Sequence, residues 1–271
     1  MKSKKISIVT VCKNAEKTIE RTILSVINQT YSDIEYIIID GKSTDNTLEI
    51  VNKYKDKISR IISEKDNGIF DAMNKAIDFA TGDFINFMNS DDFFDSNNVI
   101  ENVVKAINKY SDCELLFGDY KYCDVNKDIC IERCYKDMYL DYYFFIKQNL
   151  NHQSIFYKKS IFEKFGKYED TRYKITADTD YNMNLVLKQK INVYYLPIYI
   201  ANYSMKGFSS KNEILFNQEK KKILKKYYGL GIFRENILKL IACLDEYNLF
   251  SDFVSNKLNM FHRDSKVKII N

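Results

Sequence analysis

The sequence predicts an α/β domain in which a sheet of parallel strands is covered by helices on both faces. Two observations lead there. Short β-branched apolar runs alternate with segments of helical period through the first ninety or so residues, the pattern of strand–helix–strand units. The connections are short, and polar residues gather where the predicted strands end: Cys12, Lys13 and Asn14, then Asp40, then Asn89, Ser90, Asp91 and Asp92. Ligands of such sheets collect beyond the carboxyl ends of the strands.

The elements follow in order. Ile6 to Cys12 is an unbroken apolar run and reads as a buried strand. Asn14 is a cap candidate for the helix marked by Ile19, Ile23, Val26 and Ile27. A second strand, 35–40, ends at Asp40-Gly41, with Ser43, Thr44 and Asp45 as caps for a helix through Leu48 and Val51. A third strand, 58–63, leads to the turn Asp66-Asn67-Gly68. Ile69, Met73, Ala76, Ile77 and Ala80 then form a helical stripe that Gly82 closes. The fourth strand is 84–88. Beyond it the pattern predicts a strand at 114–118, a hairpin pairing 120–123 with 129–134, a strand at 153–157, a helix over 178–188 and a strand at 191–196 before Pro197. From about residue 211 the chain reads as helical and lysine-rich.

Composition excludes several function classes. The 271 residues carry 41 Lys and Arg against 37 Asp and Glu, a formal charge of +4, too mild to point to nucleic acid. No apolar run approaches the length of a membrane span, and the start of the chain is not a secretory signal. Six cysteines without a C-x-x-C pair, far in sequence from His152 and His262, predict unpaired thiols, no zinc site and a reducing cytoplasm.

Asp91 and Asp92 follow an apolar strand and precede Phe93-Phe94. Adjacent carboxylates in a tight turn suit Mn²⁺ or Mg²⁺, which completes its shell with water and phosphate oxygens. A solvated turn of good turn formers accounts for the same four residues.

Four stretches resolve that choice by resemblance: 7–14, SIVTVCKN; 39–47, IDGKSTDNT; 66–76, DNGIFDAMNKA; and 82–92, GDFINFMNSDD. In order and spacing they resemble the family 2 glycosyltransferases over about residues 5–95, and more weakly to about Ser210. The resemblance implies the GT-A fold, a Rossmann-like mixed sheet flanked by helices, and inverting sugar transfer from a nucleoside-diphosphate donor, UDP-linked by preference. Residues 1–210 would form the transferase domain, with a nucleotide-binding half to residue 95 and an acceptor and catalytic half to 210. Residues 211–271 would form a basic helical extension.

Residue by residue, the resemblance places Thr10, Cys12, Asn14 and Asp40 around the base, with Gly41 where many relatives carry a second acid. It places Asn67, Gly68, Asp71 and Asn74 along the nucleotide, Asp91 at the donor ribose or metal shell, and Asp92 as the metal ligand on a surface turn. Asp178, in Ala177-Asp178-Thr179-Asp180, matches the general base, with Asp180 in support. His152 and Gln153 match a His-Gln pair at the acceptor or diphosphate, and 206–210 matches a loop over the diphosphate. The acceptor is a carbohydrate or lipid-linked glycan of surface polysaccharide or glycolipid synthesis. A sugar nucleotidyltransferase would carry a glycine-rich loop after the first strand, which Cys12-Lys13-Asn14-Ala15-Glu16 lacks. A non-catalytic nucleotide-sugar-binding module would not need Asp92 and Asp178. The cationic run from Glu219 to Tyr228 fits core packing with a solvated lysine face, peripheral contact with an anionic membrane, or dimerisation.

Overall fold

A computed structural model describes residues 3–124, 127–136, 138–205, 207, 212–228 and 267–270. Strands β1 (Ile6–Cys12), β2 (Ile34–Asp40), β3 (Arg60–Ser63) and β4 (Phe84–Phe87) are parallel and lie in the order β4–β1–β2–β3. Helices α1 (Ile19–Ile27), α2 (Thr47–Lys53) and α3 (Ile69–Phe79) connect them. β1 is buried along its whole length because both its faces are covered. Val9 and Val11 join Ile37, Ile39 and the Met73, Ala76 and Ile77 stripe of α3 in one core. Ile6 and Ile8 join Tyr36, Ile38 and the Ile19, Ile23 and Val26 stripe of α1 in the other. This two-sided burial explains why β1 shows no polar alternation.

The second half continues the same sheet. After β5 (Phe93–Phe94) and α4 (Val99–Lys109) come β6 (Leu115–Asp124), β7 (Ile129–Arg133), α5 (Tyr142–Lys147), β8 (Ile155–Lys158), α6 (Lys159–Phe165), α7 (Ala177–Met183) and β9 (Val193–Ser204). β8 runs antiparallel between β4 and β6, so the sheet is mixed, and β9 is parallel to β6. β9 continues past Pro197 to Ser204. The register slips between Gly118 and Tyr120, opposite Pro197, and a proline at such a bulge breaks no ladder bond. Gly118 is needed there: a Cβ would lie 2.8 Å from the Leu196 carbonyl oxygen and 2.9 Å from that of Ile198. Helix α4 was not among the predicted elements, although Val99, Ile100, Val103, Val104 and Ile107 form a buried stripe.

Two local expectations are corrected. Asn14 does not cap α1; it has φ 50°, and its Oδ1 accepts from the Thr44 backbone N–H at 2.9 Å, tying the end of β1 to the loop after β2. Gly82 does not end α3, which stops at Phe79. Gly82 is required because a Cβ there would meet Ser7 Oγ at 2.6 Å and Ser7 N at 2.7 Å.

The cysteine expectation also fails. The β6–β7 hairpin forms as predicted, and its register sets Cys123 directly opposite Cys130. That juxtaposition brings the two sulfurs within bonding reach, and they form a disulfide; Cys12, Cys113 and Cys134 are free thiols among the described residues.

The lysine-rich segment packs on the core as helix α8 (Glu213–Tyr228). Ile223 and Tyr227 are buried, and Glu219, also buried, accepts from the backbone N–H groups of Lys174, Ile175 and Thr176 at 2.7–3.1 Å. Strand β10 (Val267–Ile269) pairs with β9 at the sheet edge, so the extension is not helical throughout. The predicted apolar continuation at 232–241 lies outside the described residues, as does most of the 206–210 loop.

Glu35 locks β2 to the turn before β4. It accepts from Ser7 Oγ at 2.6 Å, Thr81 Oγ1 at 2.6 Å and Thr81 N at 2.7 Å. Burial pushes its carboxyl up, but these hydrogen bonds and the Lys5 ammonium outweigh it and hold it below the usual range. A carboxyl with a lowered native pKa stabilises the fold above its unfolded value of about 4.3 and loses that contribution as pH falls through the native value. Glu35→Gln should therefore be less stable than the parent chain at pH 7, with the gap closing on acidification below about pH 4. Urea titrations across pH measure this; a gap independent of pH contradicts it.

Candidate active site

The carboxyl ends of β1, β4 and β9 and the turn before β8 surround one broad, open cleft of about 1880 Å³. Cys12, Asn14, Asn67, Gly68, Asp91, Asp92, His152, Gln153 and Asp178, from both halves of the chain, line it. Gly68, with φ 131°, precedes the first turn of α3 and brings the amino end of that helix to the cleft wall, a favourable place for anionic groups.

Five predicted site residues do not line the cleft. Thr10 is fully buried and shares a hydrogen bond with the Tyr36 hydroxyl at 3.1 Å. Asp40 is fully buried, and its two oxygens accept from Ser43 Oγ, the Ser43 N–H and Ser63 Oγ. Burial, then the Asp40 carboxylate, push the Cys12 thiol far up, so it is a neutral wall group. Asp71 accepts from the Asn67 N–H at 2.8 Å and pairs with Lys75, which fixes the turn. Asn74 makes two hydrogen bonds to the backbone of Tyr168, at 2.9 and 3.0 Å, stitching α3 to the loop before α7. Asp180 leaves the cleft because α7 turns it towards α8, where both its oxygens accept from Lys226 Nζ at 2.8 Å.

Asp92 also differs from its expected surface position. It is fully buried; Oδ1 accepts from the Ser204 N–H at 2.8 Å and Oδ2 from the Gln153 amide. Burial and then the Asp91 charge push its carboxyl well above the usual range, while the Ser204 and Gln153 donors oppose them. With both oxygens held, Asp92 fits a clip better than a metal ligand. The neighbouring Asp91 is half-buried on the cleft wall. Its carbonyl oxygen is held by Arg21 Nη2 at 3.0 Å, and the Arg21 guanidinium stacks 4.4 Å from the centre of the Phe93 ring.

On the opposite wall Asp178 starts α7. Its Oδ1 accepts from the Thr179 N–H at 2.7 Å, and its Oδ2 lies 3.0 Å from His152 Nδ1 and 3.4 Å from Asn149 Nδ2. His152 Nε2 lies 3.0 Å from Asn89 Nδ2. With the Asn89 amide as donor, Nε2 is the acceptor and the ring proton sits on Nδ1, directed at Asp178. Sequence reasoning missed Arg21, Asn149 and the Asn89–His152 contact. Helical spacing puts Arg21 on the face of α1 beside Thr22, which holds the Asp92 carbonyl at 2.7 Å, but nothing in the sequence ties that face to the β4 loop.

If Asp92 is a buried clip, Asp92→Ala strands the Gln153 amide and the Ser204 N–H. The loss should be at least about 2 kcal/mol of unfolding free energy, the scale of buried donors left unpaired. Urea denaturation measures it; an unchanged midpoint would return Asp92 to a solvated turn.

The comparisons agree with this geometry. A "PGL/p-HBAD biosynthesis glycosyltransferase" of Mycobacterium bovis (strain BCG / Pasteur 1173P2) is 29% identical over 229 residues, 83% of this chain and 86% of that protein. The Escherichia coli "UDP-Glc:alpha-D-GlcNAc-diphosphoundecaprenol beta-1,3-glucosyltransferase WfaP" is 36% identical over 129 residues, 46% of this chain and 49% of its own. Among solved structures, the mannosyltransferase PcManGT from Pyrobaculum calidifontis, in complex with GDP-Man and Mn²⁺, superposes with a TM-score of 0.65 at 16% identity, covering 85% of this chain and 66% of that one. S. aureus TarS 1-349 in complex with UDP-GlcNAc gives 0.60 at 17% identity, covering 83% and 71%. At these identities the structures establish the GT-A fold. The family model "Glycosyl transferase family 2" matches residues 7–166, so the chain belongs to glycosyl transferase family 2 and is a glycosyltransferase.

Proposed function

We propose that the chain transfers a hexosyl or N-acetylhexosaminyl group, with inversion, from a nucleoside-diphosphate sugar to a hydroxyl of a carbohydrate or lipid-linked glycan in surface polysaccharide or glycolipid synthesis. One observation carries the reading: Asp178, oriented by His152 at 3.0 Å, shares a cleft with Asp91. The acceptor hydroxyl oxygen bonds to the anomeric carbon from the side opposite the diphosphate. The anomeric C–O bond breaks with its electrons on the departing diphosphate, and the hydroxyl proton passes to Asp178. His152, donating through Nδ1, fixes the orientation of the carboxylate.

The residues suit a divalent ion, Mn²⁺ or Mg²⁺. Asp91 offers one carboxylate, and no group of three or more His, Cys, Asp or Glu among the described residues forms a closed cage. These hard ions take one or two carboxylates and complete their shell with phosphate oxygens and water. When bound, the ion neutralises charge on the leaving diphosphate. The related names support the substrate classes: a UDP-GlcNAc complex, a GDP-Man complex with Mn²⁺, and a diphosphoundecaprenol-linked acceptor.

No described helix is long and apolar enough to cross a membrane. The outer face of α8 carries exposed Lys221, Lys222 and Lys225, and the exposed Ile214 adjoins Glu213 at the cleft. This combination suits peripheral contact with an anionic surface that presents a lipid-linked acceptor.

Asp178→Asn should keep donor affinity and lower turnover by roughly 10²–10⁴-fold, the usual worth of a positioned base. Asp91→Asn should instead lose the Mn²⁺-dependent part of donor binding. Calorimetry and turnover on the same folded proteins separate the two; an Asp178→Asn enzyme with unchanged turnover contradicts the assignment.

A further inference from the structure

We infer that the outer strand of the β6–β7 hairpin is a track for the phosphate-linked apolar chain of an acceptor, laid along Ile129, Ile131 and Arg133. The inference rests on the lipid-linked-acceptor reading and adds the surface that holds the lipid.

The hairpin register defines the row. Ile129 stands opposite Asp124, Ile131 opposite Tyr122 and Arg133 opposite Tyr120. Residues directly opposite in an antiparallel pair share a face, as do residues two apart along a strand. Ile129, Ile131 and Arg133 therefore form one row, on the face that carries the cleft-lining Tyr120 and Tyr122. The Cys123–Cys130 disulfide lies between the first two rungs and clamps β7 to β6.

The row continues inward. The Tyr122 ring stacks on that of Tyr203 in β9, with centroids 5.4 Å apart and planes at 16°. A Cβ on Gly207 would lie 3.4 Å from the Tyr203 hydroxyl and 3.7 Å from Asp91 Oδ2, so this ring stands beside the proposed diphosphate corner. Adjacent strands are about 4.8 Å apart, which puts Ile131 about 10 Å across the sheet from Tyr203. A sugar seated on the paired rings would pass its linked chain directly to β7.

Two features select the occupant. Ile129 and Ile131 are 47% and 44% exposed, on an edge strand that pairs with β6 alone among the described residues. Apolar area left in water at the mouth of a cleft suits an apolar chain. Arg133 adds an exposed cation to the same row. Glu132 falls on the other face, opposite Lys121, and Lys127 and Asp128 in the turn offset one another in charge. A cation beside an apolar pair matches a phosphate joined to a hydrocarbon chain.

Calorimetry on the full chain tests this, with UDP and Mn²⁺ present to fill the donor end and farnesyl phosphate, below its critical micelle concentration, as the probe. Wild type should bind farnesyl phosphate, and inorganic phosphate should give no heat. The double variant Ile129→Ser with Ile131→Ser should bind the probe about 10- to 50-fold more weakly, the worth of two partly exposed side chains losing apolar contact. Arg133→Gln should bind it about 2- to 5-fold more weakly, as for an exposed ion pair. Both should keep the wild-type affinity for UDP, which reports an intact fold. Unchanged affinity for farnesyl phosphate in the double variant, or no binding of it by a wild type that binds UDP, overturns the assignment. So does a double variant that keeps the probe but loses binding to phosphatidylglycerol vesicles, which would make the row a membrane contact, or loses a dimer in sedimentation, which would make it a subunit interface. Failure of wild type to bind UDP would instead overturn the donor reading beneath it.

Discussion

The site depends on one buried carboxylate. Asp92 has no solvent contact, and burying a charge is costly unless hydrogen bonds satisfy it. Its two oxygens meet that requirement with donors from distant parts of the chain, Gln153 in the turn before β8 and Ser204 at the end of β9. Thr22 and Arg21 on α1 hold the main-chain carbonyls of Asp92 and Asp91. Three segments are thereby fixed around one buried residue at the cleft wall. The consequences run outward in both directions. Asp91 is turned to the cleft wall, and Gln153 carries His152 beside it to within 3.0 Å of Asp178. The proposed leaving-group side and the base side are joined through this knot.

Asn89 holds the far side of the His152 ring in this arrangement. With its amide donating to Nε2, the ring directs Nδ1 at Asp178. The left-handed residues Asn14 and Lys42, with φ 50° and 61°, close the loops at the ends of β1 and β2 on the other side of the cleft. Behind Asp178, α8 adds its own constraint. Glu219 collects three backbone N–H groups just ahead of α7, and Lys226 holds Asp180, so the helix that starts with Asp178 is anchored from behind.

Much of the nucleotide-binding half was legible because its signals are local. β1, α1 and α3 follow from apolar runs and stripes that a few neighbouring residues establish. The cleft position of Cys12, Asn14 and Asp91 follows from the rule that ligands sit beyond strand ends, and that of Asn67 and Gly68 from the resemblance. The misreadings share a cause. Asp40, Asp71, Asn74 and Asp180 are polar residues in the expected place along the chain, but each is held by another partner; for Asn74 and Asp180 that partner, Tyr168 or Lys226, is one that sequence proximity does not identify. Asp92 was indistinguishable from Asp91 in a run of turn formers, since only the arrival of Gln153 and Ser204 decides which carboxylate is buried. The Cys123–Cys130 disulfide needed the hairpin register, which the intervening turn residues alone do not fix.

The central claim is that one base and one diphosphate site face the same sugar across a single cleft, so transfer occurs in one displacement. The product's stereochemistry tests this most directly. Proton NMR of the anomeric signal, recorded as product first forms from a UDP-α-linked sugar donor and its acceptor, should show the β-glycoside. A first-formed α-glycoside would mean retention, which a lone base at Asp178 cannot produce, and would contradict the account.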